Sequence, residues 1–127
     1  MRVYYEDTDA GGVVYYANYL CFMERARTEW LRSIGFEQPV LAAEHGVLFV
    51  VRAVRIDYLK PSRFDDSLQV TVEVANVGGS RIRFQQRVLR GDEELVQAAV
   101  DVVCVNTKTF RPVRVPLEMR TTIGIEE

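Results

Sequence analysis

Residues 18–35 read NYLCFMERARTEWLRSIG and contain the clearest periodic pattern of the chain. The apolar positions recur at the spacing of one helical face: Tyr19, Phe22, Met23, Ala26, Trp30 and Ile34. Charged and polar residues occupy the opposite face. The pattern predicts a long amphipathic helix with one buried side. Asn18 can cap its start, unless the helix begins a turn earlier, and Gly35 is typical of a left-handed stop.

The sequence on either side of this helix is typical of strands and turns. We expect the end of a first strand at Arg2–Tyr5 and a short helical turn at Gln38–Glu44. Apolar runs and alternation then predict the strands Gly46–Tyr58, Leu68–Val74, Ile82–Val88 and Leu95–Val105, the last of them central. Turns are expected at Gly78-Gly79 and Gly91-Asp92.

This order of elements predicts an α+β domain, in which one long central helix lies across the concave face of a curved antiparallel sheet of about five strands. The 127 residues fit a single domain, residues 1–127. One helix covers only one face of such a sheet. We therefore expect a second subunit to cover the outer face or an exposed edge strand.

The composition narrows the class of protein. The formal net charge is −2, from 16 basic and 18 acidic residues, which argues against a general nucleic-acid binder. No apolar run approaches the roughly 20 residues that span a bilayer, and no signal-peptide pattern is present, so we expect a cytoplasmic protein without membrane insertion. Cys21 and Cys104 lie far apart in apolar segments, which predicts two buried thiols rather than a disulfide or a metal site.

A second stretch, EDTDAGG at residues 6–12, concentrates acidic residues and glycines that cost stability. A calcium loop counted from Asp7 would need an oxygen ligand where the chain has Gly11 and a glutamate where it has Asn18. Two alternatives remain. A carboxylate here caps the helix, or it acts as base or nucleophile beside the helix N-terminus, whose free N–H groups stabilise an oxyanion. Spacing alone favours the cap.

Two further patterns are candidates for chemistry. His45 is the only histidine of the chain, and it lies in an expected surface loop without a partner motif, which is typical of a solvated side chain. Four arginines occupy one predicted strand: Arg81, Arg83, Arg87 and Arg90. They indicate either a solvated face or a patch that binds phosphate.

The acidic stretch and the helix together resemble a known family. The run Tyr4–Tyr19 (YYEDTDAGGVVYYANY), followed by Glu24–Arg27 (ERAR), is similar to the hotdog-fold acyl-CoA thioesterases. Within that family it most resembles the Tol-Pal-associated, YbgC-like branch, which is related to the 4-hydroxybenzoyl-CoA thioesterases. The similarity continues through Phe49–Arg52, Pro61–Asp66 and Val102–Val105, and so covers nearly the whole chain. It reverses the preference for a simple cap.

The resemblance implies a hotdog fold, with subunits that pair into homodimers through a continuous sheet and often double to homotetramers. It also implies hydrolysis of an acyl-CoA thioester to a free acid and CoA, without a cofactor or a metal. The catalytic carboxylate of the family corresponds to Asp9, which would attack the carbonyl or activate water, with Asp7 in support. The backbone N–H near Tyr16, at the helix start, would polarise the thioester carbonyl.

The resemblance further implies where the substrate binds. The CoA nucleotide is expected near the Gly78–Arg81 turn, and the acyl group between subunits beside Tyr16. The residues expected to contact substrate are Gly12, Val13, Tyr15, Tyr19, Phe49, Val50, Lys60, Ser80 and Arg81. The Tol-Pal-associated branch commonly has Tyr-His where this chain has Tyr15-Tyr16, whereas the hydroxybenzoyl branch has tyrosine there. The identity of the acyl group therefore stays open.

Two alternatives stay open beside the thioesterase. A hotdog hydratase or dehydratase would need a histidine paired with an acid near the helix, and His45 lies beyond the helix in no such motif. A non-catalytic module of the same fold would bind acyl-CoA or an envelope-complex protein without turnover. The intact Asp9 and Gly11-Gly12 favour the thioesterase.

Overall fold

A computed structural model of the chain describes residues 1–8 and 17–123. The helices are α1 (Asn18–Ser33), α2 (Gln38–His45) and α3 (Leu117–Ile123), and a 3-10 turn covers Tyr5–Asp7. The strands are β1 (Val47–Tyr58), β2 (Gln69–Val70), β3 (Glu73–Val77), β4 (Arg81–Arg90) and β5 (Glu93–Asn106). None of the helices in this described part is long and apolar enough to cross a bilayer.

Helix α1 confirms the prediction made from its apolar spacing. Its buried residues are Tyr19, Phe22, Met23 and Leu31. Gly35 follows its end with a φ of +95°, a conformation that L side chains rarely adopt. Asn18 is not the cap, because Ala17 holds that position and Asn18 is the first helical residue. The Asn18 side chain instead donates from Nδ2 to the Asp7 carbonyl oxygen at 3.1 Å. This bond joins the helix start to residues 6–12, the acidic segment.

The strands form one antiparallel five-stranded sheet. Its order is β1-β5-β4-β2, and β3 also pairs with β4. Strand β5 therefore lies between β1 and β4, which confirms the prediction of a central strand. Turns at Gly78-Gly79 and Gly91-Asp92 connect β3 to β4 and β4 to β5, as predicted. Across β1 and β5, Phe49 is in register with Cys104, and Tyr58 with Val96.

Helix α1 packs across one face of this sheet. Trp30 contacts Phe84 of β4 edge to face, with ring centroids 5.3 Å apart, and the Tyr19 ring lies 5.6 Å from that of Tyr58 at the end of β1. The sheet side of the core consists of Ile82, Phe84, Val88, Val96, Ala98, Val100, Val102 and Cys104. Burial of these side chains is the main term that stabilises the arrangement, because a fully buried Val, Ile or Phe contributes about 1.5–3 kcal/mol.

Strand β1 is a long edge of the sheet. In the part of the chain that the structure describes, it pairs with β5 only, on one side. Val51, Val54 and Tyr58 of this strand are 50%, 39% and 44% exposed. An edge of 12 residues with exposed apolar side chains is a template for pairing with another strand.

Two strand predictions are wrong, those for Arg2–Tyr5 and for Leu68–Val74. The N-terminal residues form an isolated bridge between Arg2 and Ser67, followed by the 3-10 turn, rather than a strand end. The strand predicted over Leu68–Val74 is split into β2 and β3. The split occurs where the Thr71 hydroxyl accepts the Arg87 N–H at 3.0 Å and replaces a backbone acceptor of the ladder.

The two cysteines differ in exposure, so the prediction that both are buried is wrong for one of them. Cys104 is fully buried, and burial raises the pKa of its thiol to about 11, which keeps it protonated and unreactive at neutral pH. Cys21 is exposed on the solvent side of α1. His45 is exposed as expected, but it is the last residue of α2 rather than a loop residue.

Candidate active site

Of the predicted catalytic residues, Asp9 lies within the acidic segment, residues 6–12, and Tyr16 follows it. Asp9 and Tyr16, together with Gly12, Val13 and Tyr15, lie outside the described residues. Their roles stay predictions. Among residues 1–8 and 17–123, no group of three or more His, Cys, Asp or Glu side chains is arranged to hold a metal ion.

Described residues on the two sides of residues 9–16 are joined to each other. The Asn18 side chain, at the start of α1, donates to the Asp7 carbonyl oxygen. Asp7 and Asn18 therefore lie close together in space. The Asp7 carboxylate accepts the Tyr4 N–H at 3.0 Å and closes the 3-10 turn. The supporting role in catalysis expected of Asp7 stays a prediction.

Tyr19 lies in the core beside this segment rather than in an open cavity. Its side chain is almost fully buried, and its hydroxyl lies 2.5 Å from Ser62 Oγ and accepts the Ser62 N–H at 3.2 Å. Its ring also contacts Phe22 and Tyr58. The structure therefore gives Tyr19 a packing role, and a direct contact with substrate stays a prediction.

An apolar groove of about 310 Å³ lies between the C-terminal half of α1 and the start of β1. Two residues that were expected to contact the acyl group, Phe49 and Val50, line it. The other apolar lining residues are Trp30, Leu31, Val51, Ile82, Phe84, Val102 and Met119. A groove of this size and lining suits a small aliphatic or aromatic group.

One wall of the groove is polar and includes Glu24 and Arg27. Arg27 Nη1 donates to Gln86 Oε1 at 2.8 Å, and Gln86 Nε2 donates to the Met23 carbonyl oxygen at 3.1 Å. Burial lowers the pKa of Arg27, an effect that the nearby Glu24 carboxylate opposes. The contact between Arg27 and Gln86 was not predicted from the sequence, although a glutamine at an inward position of an otherwise apolar strand is a usable signal.

Ser80 and Arg81 lie where the Gly78-Gly79 turn leads into β4. Arg81 is in register with Val103 of β5, one residue before the partner of Phe49. These two expected CoA contacts therefore lie at the same end of the sheet as the groove. Arg81 is exposed, and within the described part of the chain its guanidinium makes no ion pair.

Lys60, the third expected CoA contact, lies at the other end. Its Nζ is 2.8 Å from Glu93 Oε2, and its backbone N–H donates to the Leu95 carbonyl oxygen. Leu95 and Val103 are eight residues apart on β5, which is about 26 Å along an extended strand. Within one subunit, Lys60 therefore does not reach a phosphate group that Arg81 contacts.

The Phe49 end of the groove lies far along β1 from the start of α1. Phe49, in the groove, precedes Tyr58 by nine residues of β1, and Tyr58 contacts Tyr19 near the start of α1. Nine residues of strand span about 30 Å. Phe49 is therefore remote from Tyr19, whereas Glu24 in the polar wall of the groove is five positions, about 8 Å along the helix axis, from Tyr19.

Comparison with known proteins identifies the family. The model of the thioesterase-like superfamily matches residues 3–123. The chain belongs to this superfamily. The acyl-CoA thioesterase YbgC of Haemophilus influenzae is 49% identical to it over 120 residues, which cover 94% of this chain and 88% of that protein. The acyl-CoA thioester hydrolase YbgC of Escherichia coli is 47% identical, covering 91% of this chain and 87% of that protein.

Two solved structures from other bacteria have the same fold. A probable thioesterase from Bartonella henselae matches with a TM-score of 0.87 at 39% identity, covering 91% of this chain and 95% of that chain. A protein from Aquifex aeolicus matches with a TM-score of 0.88 at 28% identity, covering 97% and 95%. These matches confirm the α+β hotdog fold and the family that the sequence predicts.

Proposed function

We propose that this protein is an acyl-CoA thioester hydrolase that releases a free acid and CoA. The observation that carries the proposal is similarity over most of the chain, at 49% and 47% identity, to two proteins named for this activity. The groove supports it, because it offers an apolar site to an acyl group. We also propose that residues 1–127 act as one domain in the cytoplasm, without a cofactor and without nucleic-acid or membrane partners.

The proposed chemistry uses the carboxylate of Asp9. It attacks the thioester carbonyl and forms a short-lived anhydride that water hydrolyses, or it removes a proton from the attacking water. In both cases a C–O bond forms and the C–S bond breaks. CoA leaves as a thiolate, which needs no strong general acid. The backbone N–H near Tyr16 would stabilise the negative charge that develops on the carbonyl oxygen.

We further propose that the active site forms between two copies of the chain. Phe49 of the groove lies about 30 Å along β1 from Tyr58, which contacts Tyr19 near the start of α1. The exposed edge of β1 can pair with its counterpart in a second copy. An antiparallel pairing centred between Ala53 and Val54 places Phe49 of one copy opposite Tyr58 of the other. The groove of one copy then lies beside the acidic segment of the other.

This homodimer gives the substrate a continuous path. The acyl group enters the groove beside Phe49 and Val50, and the nucleotide extends toward Ser80 and Arg81 at the same end of that subunit. Lys60 is less suited to the nucleotide, because its charge is paired with a carboxylate. The outer face of the sheet stays available for a second dimer, as expected for a homotetramer.

The substitution Asp9→Asn tests the proposed chemistry. It keeps the shape of the side chain and removes its negative charge, so kcat/KM for every accepted acyl-CoA should fall at least about a hundredfold. The measurement is thiol release from a panel of aliphatic and aromatic acyl-CoAs. Asp7→Asn is the matched control: it removes the same charge two positions earlier and should cost less than about tenfold.

Both variants must keep the wild-type circular dichroism spectrum and oligomeric mass. Near-normal hydrolysis by Asp9→Asn would reject Asp9 as the catalytic group, whatever the effect of Asp7→Asn.

The non-catalytic alternative makes a different prediction for the wild-type protein. A binding module would retain acyl-CoA on a column or in calorimetry without any thiol release. A hydratase would convert an enoyl-CoA without releasing thiol, and it would depend on His45, which does not line the groove. Thiol release and enoyl-CoA conversion, measured together, therefore separate all three functions.

A further inference from the structure

The Gly78-Gly79 turn lacks side chains at positions where the subunit has room for them. A Cβ added at Gly79 would meet no atom within 4 Å, and one at Gly78 would meet only the Arg81 carbonyl oxygen at 3.9 Å, an ordinary contact. Neither glycine has the positive φ that disfavours an L side chain. The subunit itself does not require glycine here, so the bare turn leaves space for a ligand close to the backbone.

All four carbonyl oxygens of residues 78–81 accept hydrogen bonds from within the subunit. Arg120 Nη1 donates to Gly78 at 2.8 Å and to Gly79 at 3.3 Å. The backbone donors are Val115 to Gly79 at 2.9 Å, Cys104 to Ser80 at 2.7 Å and Gly78 to Arg81 at 2.8 Å. In contrast, the N–H groups of Gly79 and Ser80 have no acceptor among residues 1–8 and 17–123. The acceptors of the turn are engaged, and two of its donors are available.

Arg120 is the side chain that fixes two of these carbonyls. It lies on α3 and is 1% exposed, although a guanidinium is expensive to bury unless hydrogen bonds satisfy it. The segment before α3 also holds the turn through the Val115 N–H. The C-terminal segment therefore sets the conformation of a turn that is more than thirty residues earlier in the chain.

We propose that Arg120 is a positioning residue for the nucleotide end of the substrate. By holding the carbonyls of Gly78 and Gly79, it leaves the turn as a donor site for a phosphate group of CoA. The phosphate accepts hydrogen bonds from the N–H groups of Gly79 and Ser80 and from the Ser80 hydroxyl, and it pairs with the Arg81 guanidinium. Arg120 itself does not touch the ligand. This inference rests on the proposed acyl-CoA substrate.

The substitution Arg120→Met tests the inference with two thioesters of the same acyl group, acyl-CoA and acyl-pantetheine. The second ester lacks the phosphorylated nucleotide. KM for acyl-CoA should rise about tenfold and kcat should stay within about twofold, because the nucleotide contributes binding rather than bond cleavage. KM for acyl-pantetheine should stay within about twofold of the wild-type value. Arg120→Lys keeps the charge and should recover part of the loss.

Two further variants complete the experiment. Arg111→Met is the matched control, since it removes the same charge from an exposed residue at the same end of β5 and should leave both KM values unchanged. Gly79→Ala tests the turn without changing Arg120. Its methyl group would extend into open space beside the turn, where the proposed phosphate binds, so it should raise KM for acyl-CoA several-fold while the melting temperature stays at the wild-type value.

An equal rise of KM for both esters in Arg120→Met would overturn the inference and leave only a structural role. An unchanged KM for acyl-CoA in Gly79→Ala would overturn it as well, and this result decides the case if Arg120→Met does not fold. The proposed function has a separate point of failure. A wild-type protein that hydrolyses neither ester would refute the function. One that hydrolyses both with the same KM would keep the function and exclude a nucleotide site.

Discussion

The two turns at the ends of β4 both lie among basic residues, but they use those charges differently. Near the Gly91-Asp92 turn, Arg90 Nη1 lies 2.8 Å from Asp66 and Arg90 Nη2 lies 2.6 Å from Glu93. Lys60 Nζ lies 2.8 Å from the same Glu93 carboxylate. The cations at this end are therefore compensated within the fold.

The Gly78-Gly79 turn has a different environment. Arg120 donates to two carbonyl oxygens of the turn, and Arg81 makes no ion pair with a described residue. A cation without an ion pair beside available N–H donors, rather than the number of basic residues, is therefore the feature that favours a phosphate site. It also separates Lys60 from Arg81, two cations with the same charge in the sequence.

The largest difference that we expect between the two turns is in the KM values of Arg81→Ala and Lys60→Ala. Loss of Arg81 should raise KM for acyl-CoA about tenfold or more, because a hydrogen bond to a charged group contributes about 1.5–3 kcal/mol. Loss of Lys60 should change KM by less than about twofold, since an exposed ion pair contributes little. Initial rates over a range of acyl-CoA concentrations measure both values.

Ionic strength supplies the internal control for that experiment. KM of the wild-type protein should rise with added salt, and the rise should be smaller in Arg81→Ala, because salt screens exposed charges. A larger effect on KM from Lys60→Ala than from Arg81→Ala would reverse the assignment of the two ends.

A smaller effect concerns the stability of the compensated end in acid. Hydrogen bonds from Lys60 and then from Arg90 lower the pKa of Glu93 from 4.5 to about 2. A carboxyl group with a depressed pKa in the folded state stabilises the fold above its unfolded pKa, and this contribution is lost as the pH falls from about 5 toward 2. The melting temperature of Glu93→Gln should be only slightly lower at pH 7, because solvent screens these exposed ion pairs, and it should decrease less in acid than that of the wild type.

Asp92→Asn is the control for this pH series. It removes a carboxylate from the same turn, but Asp92 makes no ion pair with any residue of the described part of the chain. Its melting curve against pH should follow the wild-type curve. Parallel curves for wild type and Glu93→Gln would mean that the carboxylate network does not stabilise this end.

The elements of the fold could be predicted because their signals are local. Each signal depends only on residues that are close together in the sequence. The signals are the apolar spacing of α1, the glycine after its end, the apolar run of β5 and the turn before it. The resemblance to a family then named two groove residues, Phe49 and Val50, which do line the same groove.

The contacts that define the site are different, since they join residues far apart in the chain. Tyr19 and Ser62 are 43 positions apart, Arg27 and Gln86 are 59 apart, and Arg120 lies 42 positions from Gly78. No periodic pattern reports such pairs. A tyrosine with a buried partner therefore resembles a pocket residue in the sequence, and an arginine beneath a turn resembles an ordinary helical surface residue.

We propose that the groove of one copy lies beside the acidic segment of another. Combining two inactive variants in one dimer tests this arrangement. Asp9→Asn removes the proposed catalytic carboxylate, and Phe49→Arg blocks the groove. Each variant carries its own affinity tag, and the heterodimer is purified from co-expressed chains through both tags. Each pure variant must first keep the wild-type mass and show little activity.

If the site forms between copies, one site of the heterodimer contains both changes and the other contains neither. The heterodimer should then recover about half of the wild-type rate per dimer. If Asp9 and Phe49 act within the same chain, each site contains one change, and a heterodimer as inactive as its parents would contradict the account.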